Sequence, residues 1–242
     1  MAQPARARIA FVSPRSASST HYNSFKQIIP SDVQMDFYGL ELAGGSLYEL
    51  EGKKDTIVQR AAELFEKHRW QGAIFSGAPV EVLNPGFFAA VHARFKIPLV
   101  TALSASIAAL KSYRARSILL MTPFDEPLNR LIREHLQRSE IQAVSPAEVL
   151  SHYTVALKMG PDEVYALTEK ALSAASDVDA IYFQGAVLDP LEILEKMEKD
   201  FGTPVVASNP AMLWSILSQL GLTYRIRGYG RLLEEWPKFH GQ

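Results

Sequence analysis

The chain contains the same succession of landmarks twice, and this internal repeat limits its fold more than any other feature. Each half has an apolar run that ends in a hydroxyl residue and proline, then an apolar run that ends at glycine, then a proline that opens a short apolar run. The equivalent positions are Pro14 and Pro123, Gly77 and Gly185, and Pro98 and Pro204. They are offset by 106–109 residues, and a near-constant offset across three unlike landmarks predicts two copies of one structural unit.

Between these landmarks, short continuous apolar runs alternate with stretches that place their apolar residues on one helical face. The alternation predicts two pseudo-symmetric, Rossmann-like α/β lobes, each with a parallel sheet, that face each other across a central cleft. Strands are predicted at Ile9–Val12, Ile118–Met121, Ala180–Phe183 and Pro204–Ala207, and helices at Asp55–Arg69, Pro127–Arg138, Asp162–Ser176 and Leu191–Phe201.

The repeat also predicts where the lobes divide. We expect the first lobe to cover residues 1–110 and the second to cover 111–210, joined through the Ala-rich stretch Ala102–Arg116. The C-terminal segment, 211–242, is expected to pack back on the first lobe. No flexible linker rich in glycine or serine separates the halves.

Composition restricts the partners. The chain carries 25 Lys and Arg against 26 Asp and Glu, and this balance gives no support for a nucleic-acid or anionic-membrane partner. The apolar run Ile9–Val12 is too short for a signal peptide, and no run approaches the roughly 20 residues of a membrane-spanning helix. We therefore expect a cytoplasmic protein, monomeric or homo-oligomeric, whose partner is a small molecule.

The chain has no cysteine, which excludes disulfides, thiolate metal ligands and a cysteine nucleophile or acid. Histidines are never spaced as an i, i+4 pair, and no compact cluster of histidine and carboxylate residues occurs in the sequence. Glycine-rich nucleotide-binding motifs and a G-x-S-x-G elbow are also absent from the sequence. The sequence thus predicts neither a metal nor a cofactor.

Parallel sheets place their carboxyl-terminal strand ends, and the loops that follow, on one edge, where ligands of such folds bind. Each loop is followed by a helix N-terminus whose free N–H groups suit a carboxylate or phosphate. The residues predicted at this edge are Ser13–Ser16, Ser76–Pro79 and Thr101 in the first half, and Thr122–Asp125, Gln184–Ala186 and Ser208–Pro210 in the second.

Four motifs of the chain resemble the aspartate/glutamate racemase superfamily, and within it the branch of arylmalonate decarboxylase and maleate cis-trans isomerase. They are TPFDEPLN from Thr122, DAIYFQG from Asp179, GTPVVASNPAMLW from Gly202 and GYGRL from Gly228. The resemblance extends from about Arg8 to Glu235. It implies a two-lobed fold, which agrees with the repeat, and a cofactor-independent lyase or isomerase that acts on a small carboxylic acid.

The same resemblance implies one or two catalytic cysteines, one per lobe, at positions that are Gly77 and Gly185 here. Isomerases and racemases of the superfamily use both, and decarboxylases use the second as a proton donor. A hydroxyl pair that holds the substrate carboxylate corresponds to Ala78 and Pro79, and a tyrosine donor corresponds to Phe124. Any reaction of this kind must therefore proceed by a non-cysteine mechanism.

Two histidines are candidate acid–base groups because the imidazole pKa lies near neutrality. His21 belongs to a polar loop long enough to reach over the cleft, although an isolated loop histidine is commonly just exposed. His152, with Tyr153 as a donor, lies in a loop that supplies a polar substrate contact in the resembled isomerases. His68, His92 and His135 are interpreted as surface or packing residues of amphipathic helices.

The remaining candidates position substrate. Arg15 either binds a carboxylate in bidentate fashion or is a solvated loop residue. Gln184 either contacts substrate or satisfies the backbone behind its loop, and the two glycines either admit substrate against the backbone or permit a turn with positive φ. The complete predicted substrate-binding set is Pro14, Arg15, Gly77, Ala78, Phe124, Tyr153, Gln184, Gly185, Ser208 and Asn209.

Two functions remain open from the sequence. The first is a decarboxylase-like lyase or isomerase that uses His152 or His21 as its acid–base group. The second is a non-catalytic protein, derived from such an enzyme, that binds a small carboxylate or regulates in response to it. An enzyme needs a titratable group within hydrogen-bond reach of the ligand, whereas a binding protein needs only neutral donors.

Overall fold

The computed structural model of the chain describes residues 5–16, 22–146, 153–175 and 177–241. Two four-stranded parallel sheets form its framework, in the orders β2-β1-β3-β4 and β6-β5-β7-β8. In each lobe the four strands, numbered along the chain, are arranged in the same order, second-first-third-fourth. The predicted pseudo-symmetric, two-lobed α/β fold is therefore confirmed. The strands are β1 Ala7–Ser13, β2 Val33–Gly39, β3 Gly72–Phe75, β4 Leu99–Thr101, β5 Ser117–Met121, β6 Gln142–Val144, β7 Ala180–Phe183 and β8 Val205–Ala207.

Helices cover both sheets and connect successive strands. Two short 3₁₀ turns, Leu47–Leu50 and Leu191–Ile193, complete the connections. The helices are α1 Asn23–Gln27, α2 Lys54–Lys67, α3 Ala78–Val82, α4 Phe87–Arg94, α5 Ala102–Ser112, α6 Glu126–Gln137, α7 Tyr153–Ala156, α8 Pro161–Ala174, α9 Leu194–Phe201, α10 Ser208–Gln219 and α11 Arg231–Glu235.

The central strands β1, β3, β5 and β7 are buried on both faces, as their continuous apolar runs predict. Every strand and helix range given above is present, with ends that differ by at most three residues. The helix predicted over Leu191–Phe201 begins instead with the 3₁₀ turn and becomes α-helical at Leu194. Asp189 Oδ1 accepts a hydrogen bond at 3.1 Å from the N–H of Leu191, the first residue of that turn.

Helices α5 and α10 pack against each other between the two sheets. Nine of the eleven residues of α5 are buried, and so is almost the whole of α10, including Trp214. Each helix contacts strands of both sheets, and Ile216 of α10 fits against Gly72 of β3, where an added Cβ would lie 3.0 Å from Ile216 Cδ1. This apolar pair fixes the two sheets relative to each other, because burial of such side chains supplies the main driving force for packing.

The segment after α10 contacts both lobes. Tyr224 donates a hydrogen bond to Asp32 Oδ1 at 3.0 Å, and Arg231 N donates to Glu198 Oε2 of α9 at 2.7 Å. Glu198 Oε1 also accepts from Val205 N at 3.0 Å. The segment thus connects Asp32, just before β2 of the first lobe, with α9 and β8 of the second lobe. Among the described residues, no helix is both long enough and apolar enough to span a bilayer.

Candidate functional site

The carboxyl-terminal edges of the two sheets face a cavity of about 100 Å³ between the lobes. Its wall is formed by the ends of β1, β3, β5 and β7, by the first residues of α3, α5 and α10, and by the 3₁₀ turn Leu47–Leu50. The lining residues are Phe11, Ser13, Pro14, Arg15, Tyr22, Leu47, Leu50, Ser76, Gly77, Pro79, Ala102, Pro123, Phe124, Gln184, Gly185, Ala186, Val187, Ser208, Asn209 and Met212.

Eight of the predicted substrate-binding residues line this cavity: Pro14, Arg15, Gly77, Phe124, Gln184, Gly185, Ser208 and Asn209. Ala78 is buried as the first residue of α3 and does not line the cavity, whereas the next residue, Pro79, does. Tyr153 begins α7, and the structure describes its backbone only. His21 and His152 lie outside the described residues, so their acid–base role stays a prediction.

Three hydroxyl groups meet at the first-lobe wall of the cavity. The phenol oxygen of Tyr22 is hydrogen-bonded to Ser13 Oγ and to the Ser76 side chain. Ser13 ends β1, and Ser76 follows β3, its immediate neighbour in the sheet. Burial raises the pKa of the Tyr22 phenol, so this group is neutral at neutral pH.

The two strand-end glycines differ in the space around them. Both have positive φ, 91° at Gly77 and 115° at Gly185, a conformation that favours glycine and supports the turn interpretation. A Cβ added at Gly77 would have its nearest neighbour at 3.8 Å. A Cβ at Gly185 would lie 2.9 Å from Pro123 Cδ, so a side chain there requires that the Pro123 turn shift.

The turn that carries Phe124 into the cavity is held by side chains of α6. Asn129 Nδ2 donates to Phe124 O at 3.0 Å, and the Asn129 carboxamide oxygen accepts from the Thr122 hydroxyl. Asp125 caps α6 by accepting from Leu128 N at 3.1 Å. The same Asp125 oxygen accepts a 2.7 Å hydrogen bond from Tyr48 of the first lobe. The 3₁₀ turn Leu47–Leu50 of the first lobe is thereby hydrogen-bonded to the start of α6 in the second lobe.

Gln184 and Asn209, on the second-lobe wall of the cavity, are held by hydrogen bonds to neighbouring side chains. The carboxamide oxygen of Gln184 accepts a hydrogen bond from the Tyr182 phenol, so this buried residue is held by its own strand while it lines the cavity. Asn209 Nδ2 donates to Ser24 Oγ at 3.2 Å, and Ser24 is in turn hydrogen-bonded to the Asp189 side chain. Burial raises the pKa of the Asp189 carboxyl group above its ordinary value.

Arg15 is the single charged side chain among the described residues that line the cavity, and the rest of the wall is largely apolar. A guanidinium beside hydroxyl donors and apolar surface suits a carboxylate that carries an apolar substituent, because the cation forms charge-assisted hydrogen bonds with the carboxylate. Among the described residues, no group of three histidine, aspartate or glutamate side chains is placed to hold a metal ion.

A buried carboxyl group lies behind the cavity, where the lobes meet. Glu81 of α3 is 7% exposed, and its Oε1 is 3.6 Å from Nε2 of His135 on α6. Burial raises the pKa of Glu81 to about 7, against a smaller opposing effect of a Thr101 hydrogen bond, and burial lowers the pKa of His135. Both shifts favour the uncharged forms, so the Glu81 carboxyl group is mainly neutral below about pH 7 and the contact there is not an ion pair.

Sequence reasoning missed several residues of the site. Tyr22 has no local sequence signal for the site, because its packing against Phe11 of β1 is a tertiary feature. Leu47, Leu50 and Met212 line the cavity without any distinguishing local pattern. His135, interpreted as a surface or packing residue, does pack, but against a buried carboxyl group. A signal for Glu81 existed, since it lies four residues after a strand-end glycine.

Comparison with known proteins gives one matching family. A family model described as arylmalonate decarboxylase matches residues 75–233, which is more than half of the chain. The match begins at the end of β3 and includes the whole second lobe.

Two relatives with solved structures illustrate the similarity. An arylmalonate decarboxylase from Bordetella bronchiseptica is 24% identical over 154 residues, which are 63% of this chain and 64% of that protein. The structure of a glycine-to-cysteine variant of arylmalonate decarboxylase with an associated sulfate ion has a TM-score of 0.80 at 20% identity. It covers 93% of this chain and 99% of the other, so the likeness of fold extends to the whole molecule.

A maleate isomerase from Nocardia farcinica is 30% identical over 134 residues, which are 54% of this chain and 52% of that protein. A Nocardia farcinica maleate cis-trans isomerase, solved as a cysteine-to-serine variant with a covalently bound succinylcysteine intermediate, has a TM-score of 0.73 at 21% identity and covers 95% and 98% of the two chains. In sequence, the chain spans between half and two thirds of the length of these relatives.

Proposed function

The chain belongs to the arylmalonate decarboxylase family, and on that basis we propose that it is a cofactor-independent lyase or isomerase that acts on a small carboxylic acid in the interlobe cavity. The relatives named above are a decarboxylase and an isomerase. Decarboxylation of a malonate with an apolar substituent is the reaction that the cavity fits best. Because the chain has no cysteine, the reaction uses other groups.

One observation carries the proposal: a single guanidinium, that of Arg15, lies on an otherwise largely apolar wall. Arg15 binds the carboxylate that is retained, while the carboxylate to be lost lies against apolar residues such as Leu47 and Phe124. Desolvation of that second carboxylate favours its departure as neutral CO₂, since a charge loses its hydration in an apolar site. The sequence prediction assigns acid–base work to His152 or His21.

A second candidate function is supported by another observation. The cavity-lining residues described in the structure include no carboxylate and no imidazole, and neutral donors with one cation suffice to bind a small carboxylate. A non-catalytic binding or regulatory protein would need nothing more. The two candidates differ in whether a bound acid is converted.

The test is NMR of the protein with substituted malonates, maleate and hydroxy acids in D₂O. Loss of CO₂, isomerisation or incorporation of deuterium at carbon is expected for at least one compound. Arg15→Gln should weaken binding at least tenfold, whereas Arg69→Gln, a matched change at an exposed arginine of the first lobe, should not.

The histidine prediction is checked in the same assay. His152→Ala and His21→Ala should each be compared with the parent protein, and an acid–base role requires a loss of turnover with retained binding. Line broadening without conversion for every compound would favour the binding protein. Full activity of both histidine variants would contradict their predicted role.

A further inference from the structure

Tyr22 lies on the cavity wall with its hydroxyl group between two serine side chains. It is 6% exposed and lines the cavity together with Ser13, Ser76 and Gly77. Since Val12 of β1 pairs with Phe75 of β3, the two serines that follow these residues stand at neighbouring strand ends. The phenol therefore reaches the edge of the first sheet beside the position of Gly77.

The ring of Tyr22 is fixed by aromatic packing. It meets Phe11 of β1 edge to face at a centroid distance of 5.1 Å, and Phe37 of β2 lies at 6.1 Å. The ring that carries the hydroxyl group is thus held by side chains of the first sheet.

The hydrogen bonds around Tyr22 leave its proton available to a ligand. Arg15 N donates to Ser13 Oγ at 3.0 Å, and the hydroxyl hydrogen of Ser13 can donate to the phenol oxygen of Tyr22. Ser76 Oγ is 3.4 Å from Val12 O, to which it donates. When the phenol oxygen accepts from Ser13, its own O–H can donate either to Ser76 Oγ or, by turning, to a ligand in the cavity.

The surroundings also suit the phenolate that a proton transfer would leave. Burial raises the pKa of Tyr22, while the hydrogen bonds of Ser13 and Ser76 and the positive charge of Arg15 act in the opposite direction; Glu41 adds a smaller raising effect. The neutral phenol therefore predominates at neutral pH. Its conjugate base can be stabilised by the Arg15 cation, by the Ser13 hydroxyl, and by the Ser76 hydroxyl once that group turns from Val12 O.

We propose that Tyr22 is the catalytic proton donor of this cavity, on the first-lobe wall beside Gly77 rather than at the second-lobe position of the decarboxylase thiol. The proposal rests on the proposed function. When the carbon–carbon bond to the departing carboxylate breaks, its electron pair stays on the α-carbon and CO₂ leaves. The Tyr22 O–H bond then breaks, its proton forms the new C–H bond, and the phenolate regains a proton from water.

The test follows decarboxylation of an α-aryl-α-methylmalonate in D₂O, with product amount and enantiomeric excess measured for wild-type protein, Tyr22→Phe and Tyr38→Phe. Tyr38 is the matched control, because its hydroxyl is 3.0 Å from His68 Nε2 and the residue does not line the cavity. A donor fixed on one wall delivers deuterium to one face of the α-carbon. Loss of that donor lets water protonate both faces.

We expect Tyr22→Phe to lower kcat about 100-fold or more and to abolish enantiomeric excess, while KM and the circular dichroism spectrum change little. Tyr38→Phe should match wild type in all respects. A Tyr22→Phe protein with kcat within threefold of wild type and an unchanged enantiomeric excess would overturn the donor role, as would loss of enantiomeric excess in His21→Ala alone. Absence of turnover in wild-type protein would instead refute the proposed function, and with it the role of Tyr22.

Discussion

Replacement of Glu81 by glutamine removes a buried ionisable group at the junction of the lobes. In the folded protein the pKa of Glu81 is raised from 4.5 to about 7, with burial as the largest cause. One pKa unit corresponds to about 1.4 kcal/mol, so the ionised carboxylate costs the folded state about 3 kcal/mol relative to the protonated form. Stability contributed by the protonated form is present at low pH and is lost as pH rises through about 7.

We therefore compare the free energy of unfolding of wild-type protein with that of Glu81→Gln. Between pH 5 and pH 8 the wild-type value should fall by about 2 to 3 kcal/mol more than the value for the variant. His135, whose pKa is lowered by burial, acts with the opposite sign in the same range. It is present in both proteins, so most of its effect cancels in the difference. Arg138, whose charge also lowers the His135 pKa, and the Tyr182 phenol, on which Glu81 acts electrostatically, are likewise unchanged.

The assay is urea denaturation at half-unit pH intervals, with Glu63→Gln as the matched control at an exposed position of α2. The control should differ from wild type by a constant amount across the range. Repeating Glu81→Gln in a His135→Gln background separates the carboxyl group from its imidazole neighbour. A Glu81→Gln difference that stays constant within about 0.5 kcal/mol, or that favours wild type at high pH, would refute the neutral state of the Glu81 carboxyl group below about pH 7.

Two further predictions concern the turns that form the cavity. Gly185→Ala should destabilise the protein by about 2 to 4 kcal/mol, because it combines positive φ with a Cβ too close to Pro123. Gly77→Ala should cost about 1 to 2 kcal/mol, because only the positive φ is unfavourable there. Equal losses of unfolding free energy in the two variants would contradict the difference in space around the two glycines. Asp125→Ala should cost about 1 kcal/mol through loss of the α6 cap to Leu128, measured by thermal unfolding, and an unchanged midpoint would argue against that cap.

The sequence predicted the fold well where strands are buried on both faces. The runs of β1, β5, β7 and β8 are continuous and apolar, and the repeat established that the two lobes have one topology. The edge strands β2 and β6 were not predicted, because they are half-exposed and their sequences, VQMDFYG and QAV, lack a continuous apolar run. Their place in the sheets is determined by pairing with β1 and β5, which a local pattern does not encode.

The candidate site was predicted in part for a similar reason. Residues at strand ends, such as Arg15, Gln184 and Asn209, could be located because parallel topology brings all strand ends to one edge. Residues that reach the cavity from elsewhere could not. Tyr22 arrives from the start of α1, and Leu47 from a 3₁₀ turn between β2 and α2, so only tertiary packing brings them to the wall.

The most direct test of a catalytic cavity without thiols follows a ¹³C-carboxyl-labelled arylmalonate by ¹³C NMR with the wild-type protein in D₂O. The account predicts labelled CO₂ and bicarbonate, together with a monocarboxylic product that carries solvent deuterium at its α-carbon. The rate should fall to the uncatalysed value in Ala186→Trp, which fills the cavity from its second-lobe wall. An arylmalonate that binds but stays intact, or a rate that Ala186→Trp leaves unchanged, would contradict the assignment of this cavity as the catalytic site.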